Sequence, residues 1–448
     1  MQRFALTVVL LLSACHTDDP DGPCAPDGPA TLVHVHVGSD VGVLGAPGAP
    51  PTWIAYQNGH CPWQAPASPG HDGEYELPVT GSTYGVVVAC ADPDVSTDPS
   101  AAVLHTKLYT VGETTDVSFR CPHRRDPLVG YDLGALLDDS GDGVIRAVLR
   151  DRESEWKTIV PGAPSPTVGW PVTSGHFDLA VQTALAEPPP EGEDYPPSRL
   201  AIFRDLEGGL QNTYWSIAGP ATDWVTNPGR AGYVLGGNVA LMSGRVDFLT
   251  RLGTALPLAR ASAARGHFAS LVWSKVPVAV VEAGDAYRFS YAETDDQGYE
   301  RRSTSFQTDN SFGIPQLVDP PARQTLTLEN GVLGWNFNPR LDGRIYQLTQ
   351  AADQASGRPT TILEVSSGRL DDASFTRVEL PDFSAVPGFA PAWGFRSDAP
   401  LTATILGNEG GWPPAMVRDS IGENPGAPAE LAGVTFWETS GPVDRVNR

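Results

Sequence analysis

Apolar residues in this chain recur at every second position. Val33, Val35 and Val37 alternate with His34 and His36, a period of two that puts the valines on one face of a strand and the histidines on the other. Further short β-like runs lie at 52–57, 84–90, 103–110 and 115–121, separated by clusters of Gly, Pro and Asp. Strand character returns at 143–150 (GVIRAVLR) and 197–204 (PSRLAIFR), and strands alternate with Gly turns over 231–308. Only 261–265 (ASAAR) suits a helical turn, and no long amphipathic helix is present. The pattern predicts an all-β protein of tandem antiparallel β-sandwich modules.

The N-terminus breaks this pattern. Arg3 precedes a largely apolar run over 4–12, too short to span a bilayer, which takes about twenty residues. The run ends in Leu12-Ser13-Ala14-Cys15. This resembles a bacterial lipoprotein signal with its lipobox: an apolar segment for export, small residues for the signal peptidase, and a thiol that accepts a diacylglyceryl group. The resemblance implies cleavage before Cys15, palmitate-type acylation there, and a chain anchored to the membrane without crossing it. His16 after Cys15 resembles the outer-membrane sorting pattern, which implies an outer-membrane or cell-surface address. Residues 16–29 (HTDDPDGPCAPDGP) read as a solvated tether.

Four cysteines remain, Cys24, Cys61, Cys90 and Cys121, an even number in one stretch of an exported chain, which reads as two disulfides with three connectivities open. Cys90 and Cys121 each close a strand-like run, whereas Cys24 leaves the tether and Cys61 sits in a Pro-flanked loop. The expected pairs are therefore Cys90 with Cys121 and Cys24 with Cys61. No CxxC pair occurs, so the spacing gives zinc no support.

The organisation expected is a signal peptide over 1–14, a lipidated tether over 15–29, a disulfide-containing sandwich over 30–126, a second sandwich over 127–228, a third β-rich module over 229–315 and a last sandwich over 316–448. A weak internal repeat supports the first two: 78–88 (PVTGSTYGVVV) and 171–181 (PVTSGHFDLAV) each deliver an aromatic from a turn into a strand. This arrangement resembles carboxypeptidase-regulatory-like and prealbumin-like sandwiches, which implies a fold and tandem display but no activity. In the last module Leu333, Trp335 and Phe337 share one strand face, and Tyr346 and Leu348 alternate in the next strand, which resembles the B and C strands of fibronectin type III or immunoglobulin-like sandwiches.

The net charge of -23 supplies no basic footprint for nucleic acid. Asp138-Asp139-Ser140-Gly141-Asp142-Gly143 begins like a calcium loop, with Asp138, Ser140 and Asp142 as candidate ligands, but Leu149 stands where the bidentate Glu belongs, and an Asp/Gly hairpin turn fits better. His34 and His36 share a strand face able to hold two imidazoles near one metal, with no third ligand evident. The acidic pairs Asp138/Asp139, Asp295/Asp296 and Asp371/Asp372 read as solvated turns. No G-x-S-x-G, H-E-x-x-H or Gly-rich phosphate loop occurs. Trp53, Trp63, Trp170, Trp215, Trp224, Trp393, Trp412 and Trp437 are candidate platforms for a sugar ring or a partner protein if exposed. The reading is a surface lipoprotein with a structural or protein-interaction role. A carbohydrate-binding protein is the alternative, and a hydrolase without a recognisable motif is third.

Overall fold

A computed structural model describes residues 29–39, 51–67, 70–71, 73–91, 102–121, 128–132, 144–148, 157–159, 167–171, 175–184, 199–208, 213–216, 225–226, 230–236, 238–252, 254–276, 278–308, 326–329, 332–335, 345–351, 359–370, 376–395, 401–409 and 435–442. Among these the chain is all-β, with short 3-10 turns and no α-helix.

The first unit contains β1 (Thr31–Ser39), β2 (Trp53–Asn58), β3 (Glu74–Val79), β4 (Thr83–Cys90), β5 (Val103–Thr110) and β6 (Asp116–Cys121). Strand β1 lies antiparallel to β3 and parallel to β6, while β4 pairs with β2 and β5 in a second sheet. The alternation read in β1 is realised: Val33, Val35 and Val37 are fully buried against Val86, Val88, Val117 and Phe119, and His34 and His36 face outward.

The second unit repeats this plan with β7 (Leu128–Asp132), β8 (Val144–Val148), β9 (Lys157–Ile159), β10 (Thr167–Pro171), β11 (Gly175–Ala184), β12 (Arg199–Gly208), β13 (Thr213–Ser216) and β14 (Val225–Thr226). Strand β7 is antiparallel to β10 and parallel to β13, and β11 pairs with β8 and β12. The sequence repeat has a structural meaning here. Pro78 near the end of β3 and Pro171 at the end of β10 mark the point where the chain leaves one sheet and enters the other as β4 or β11.

The third and fourth units share a different plan. The third has β15 (Arg230–Gly236), β16 (Leu241–Leu249), β17 (Ala255–Ala264), β18 (Phe268–Ser274), β19 (Ala286–Thr294) and β20 (Glu300–Gln307); the fourth has β21 (Leu326–Glu329), β22 (Val332–Trp335), β23 (Ile345–Ala351), β24 (Pro359–Ser366), β25 (Thr376–Glu379), β26 (Leu401–Glu409) and β27 (Thr435–Pro442). In the third, the order is β17-β16-β19-β20 with β15 and β18 paired in the opposing sheet; in the fourth it is β24-β23-β26-β27 with β22 and β25 paired opposite. The helical turn expected at 261–265 is instead the end of β17. Pairing to β16 satisfies that backbone, and tertiary pairing overrides the helix propensity of alanine.

Strand pairing crosses the boundaries at which the sequence divides. An 11-stranded sheet runs β17-β16-β19-β20-β27-β26-β23-β24-β5-β4-β2, taking strands from the third, fourth and first units in turn. Two seams hold it together: antiparallel β20 with β27, and parallel β24 with β5. These modules are therefore joined edge to edge by backbone hydrogen bonds rather than strung as a loose row. One face of the sheet carries Leu108, Tyr346, Leu348, Leu363, Ile405 and Trp437 in a single apolar cluster that spans the second seam. Trp437 lies over Gly407, where a Cβ would overlap its ring, so only glycine fits opposite it.

Candidate functional site

The lipidation expected at Cys15 lies outside the described residues, which include neither Cys15 nor Cys24. Within them, Cys90 and Cys121 form a disulfide with a Cα separation of 5.0 Å. It ties the end of β4 to the end of β6, linking the two sheets of the first unit, and both cysteines are buried. Cys61 is also disulfide-bonded.

On the outer face of β1, each histidine meets the glutamate opposite it on β3. His34 Nδ1 lies 3.8 Å from Glu76, and His36 Nδ1 is hydrogen-bonded to Glu74. Both pairs are about half exposed. No group of three or more His, Cys, Asp or Glu among the described residues is arranged to hold a metal. The loop residues Asp138, Ser140 and Asp142, and the pair Asp371/Asp372, lie outside the described residues. Asp295 and Asp296 sit in the β19–β20 turn, where Asp295 accepts backbone N–H bonds from Gln297 and Tyr299 and Asp296 pairs with Arg265, as expected of solvated acids.

Tryptophans divide into those packed in or against the core and those whose surroundings are not described. Trp53 and Trp393 are buried with Phe383 and Phe389 in one aromatic cluster, ring centroids 5.5 to 5.9 Å apart from Trp53, and half-buried Trp63 packs on Phe383 at 4.8 Å. The Trp53 indole N–H donates to the Pro387 carbonyl. Trp273 and Trp437 are likewise buried. Trp170, Trp215, Trp224 and Trp412 are not among the residues whose surroundings are described. No tryptophan whose surroundings are described therefore offers an exposed platform for a sugar ring.

The structure adds three buried ionic clusters that the sequence reading missed. Arg204 of β12 contacts both Asp178 of β11 and Asp285 before β19; Asp178 also accepts the Asp205 N–H, and Asp285 accepts the Arg251 and Glu282 N–H groups. Asp205 holds φ at +53°, an uncommon conformation for a residue other than glycine, stabilised by its own N–H bond to Asp178. Asp247 of β16 is fully buried between Arg245 and Arg288. Burial alone would raise its carboxyl, but the two guanidiniums outweigh this and hold it below the ordinary carboxylate range. Lys107 and Glu364 face each other across the β5–β24 seam at 3.7 Å, with the ammonium donating to the Ser118 carbonyl and lying 5.1 Å from the Phe119 ring. The signal available in sequence was an acid or base set among buried positions of a strand, such as Asp247 in LMSGRVDFL. Each cluster has internal partners of opposite charge and ties strands together. They read as structural joints rather than acid–base machinery.

No protein-family model and no curated protein matches this chain. Among solved structures it is similar to a candidate adhesin from Bacteroides ovatus at 12% identity and a TM-score of 0.17, covering 43% of this chain and 89% of that one. A likeness at that level carries no argument about function.

Proposed function

We propose that this chain is a lipid-anchored extracytoplasmic protein, fixed at Cys15 to the cell envelope, with a structural or protein-interaction role at the outer membrane or cell surface. The observation that carries the reading is the Cys90–Cys121 disulfide, because disulfides that join the sheets of a domain persist in oxidising compartments outside the cytosol. It agrees with the lipobox ending at Cys15, and the tether over 15–29 leads directly to β1. A joined sheet with buried internal ion pairs suits a stiff scaffold presented on a short leash.

The test is metabolic labelling with a fatty-acid analogue, combined with membrane fractionation of the full chain and of Cys15→Ser. Label and membrane retention are expected in the parent and lost in Cys15→Ser, with the Cys90–Cys121 bridge intact in both. Label persisting on Cys15→Ser, or a reduced Cys90–Cys121 pair in the cell, would overturn the reading.

A further inference from the structure

We propose that the outer face of the β1–β3 ladder is a binding site for a borderline transition-metal dication such as zinc, formed by His34, His36, Glu74 and Glu76. The spacing in β1 sets two imidazoles on one strand face, and the fold supplies the further ligands that the sequence could not name. Antiparallel register puts Glu76 directly opposite His34 and Glu74 directly opposite His36. All four side chains are 48 to 67% exposed, so a solvated ion reaches them. On the other side of β1, the parallel partner β6 sets exposed Asp116 opposite His34, a third carboxylate beside the histidines. Imidazoles together with carboxylates suit zinc, nickel or copper(II), whereas calcium and magnesium take oxygen ligands. The net charge of -23 favours a cation as the ligand.

Opposite Cβ atoms across an antiparallel pair stand about 5 Å apart, and alternate ones along a strand about 6.6 Å, so the four mark a rectangle with its centre about 4 Å from each corner. An imidazole or a glutamate side chain spans that distance and leaves room for the bonds of about 2.0–2.2 Å that zinc makes. As the side chains stand they form two separate His–Glu pairs, and no three of their donor atoms meet at one point. The His34 Nδ1–Glu76 separation of 3.8 Å is longer than a hydrogen bond, so this contact does not lock the imidazole. The His36 ring lies toward Gly38, where a Cβ would stand 3.2 Å from Nε2. Exposed side chains exchange rotamers within nanoseconds, and turning the two rings toward each other brings both to the centre. The backbone beneath stays fixed: Val33, Val35 and Val37 are fully buried, β1 is paired on both edges, and the Cys90–Cys121 bridge fastens β6. Convergence therefore needs movement of side chains alone.

Isothermal titration calorimetry of the untagged full chain with zinc chloride, in mild detergent, tests this. The parent should bind zinc, and His34→Ala and His36→Ala should each weaken that binding at least about tenfold. The double histidine variant should abolish it, and Glu74→Gln with Glu76→Gln should weaken it by about tenfold. Excess magnesium chloride should leave the zinc isotherm unchanged. Copper(II) used in place of zinc reports the ligands directly: electron paramagnetic resonance should show two coordinated nitrogens in the parent and one in each single histidine variant. A parent that binds no zinc, an affinity unchanged in the double histidine variant, or the same nitrogen count in all three proteins would overturn the inference. All four residues lie on a solvated face, and circular dichroism with the intact Cys90–Cys121 bridge establishes that each variant is folded, so loss of binding is read at the ligands alone.

Discussion

Arg204 and Asp285 clasp the second unit to the third: Nη2 donates to Oδ2 at 2.7 Å and Nη1 to Oδ1 at 3.2 Å, while Arg204 also donates to the Val280 carbonyl. The guanidinium is mostly buried and Asp285 is wholly so. Removing Arg204 leaves Asp178 and Asp285 both buried without their counter-ion, whereas without Asp285 the guanidinium keeps Asp178. We predict that Arg204→Met lowers stability by about 3–5 kcal/mol, more than Asp285→Ala. Chemical denaturation of the two variants and the double variant checks this. Additive losses would mean that the two side chains are not coupled.

The Asp247 carboxyl gives a pH prediction with a definite sign. Its folded value lies below its unfolded value, so its stabilisation is complete above the ordinary carboxylate range, near pH 4, and is lost as the pH falls through the folded value. Asp247→Asn should therefore be less stable than the parent at pH 7, and the gap should narrow as the pH drops below about 4. Thermal melts across pH 2 to 7 measure it. A gap constant across that range would contradict the assignment.

Cys90→Ala with Cys121→Ala is expected to cost about 2–5 kcal/mol and to loosen β1 and β6 from the larger sheet. Hydrogen exchange should quicken first in β1, β3 and β6, the sheet that the bridge fastens. Uniform quickening across the chain would show that the bridge acts globally instead.

Gly407 faces Trp437 across the β26–β27 pair. Gly407→Ala should cost about 1–3 kcal/mol through overpacking. Because β27 completes the seam to β20, deletion of residues 435–448 should cause the third and fourth units to melt as separate transitions, where the parent shows them together. Differential scanning calorimetry distinguishes the two cases.

Local alternation made much of this fold legible. The valines and histidines of β1 take the faces that their spacing assigns, and Cys90 and Cys121, each ending a strand, prove to be bonded. The resemblance between 78–88 and 171–181 marks the same sheet-to-sheet crossing. What escaped the sequence was non-local. Tyr109 and Glu364 are 255 residues apart yet meet at a seam, and nothing in either strand's period names its edge partner. The ionic joints escaped because an isolated acid in a strand looks the same whether solvent or a distant arginine faces it. The tryptophans proved ambiguous for a related reason: Trp53 and Trp393 find their cover in each other and in Phe389, partners that composition does not reveal.

The placement of β27 also governs the order in which the molecule can assemble. Ser303 of β20 has its partner in Trp437 of a much later strand, so the central seam closes only after β27 has been made. Until then β20 and β26 each present an unpaired edge, and pairings this distant in sequence form slowly. A nascent chain is thus most vulnerable to misassociation at these two edges, and a chaperone that shields strand edges would act there.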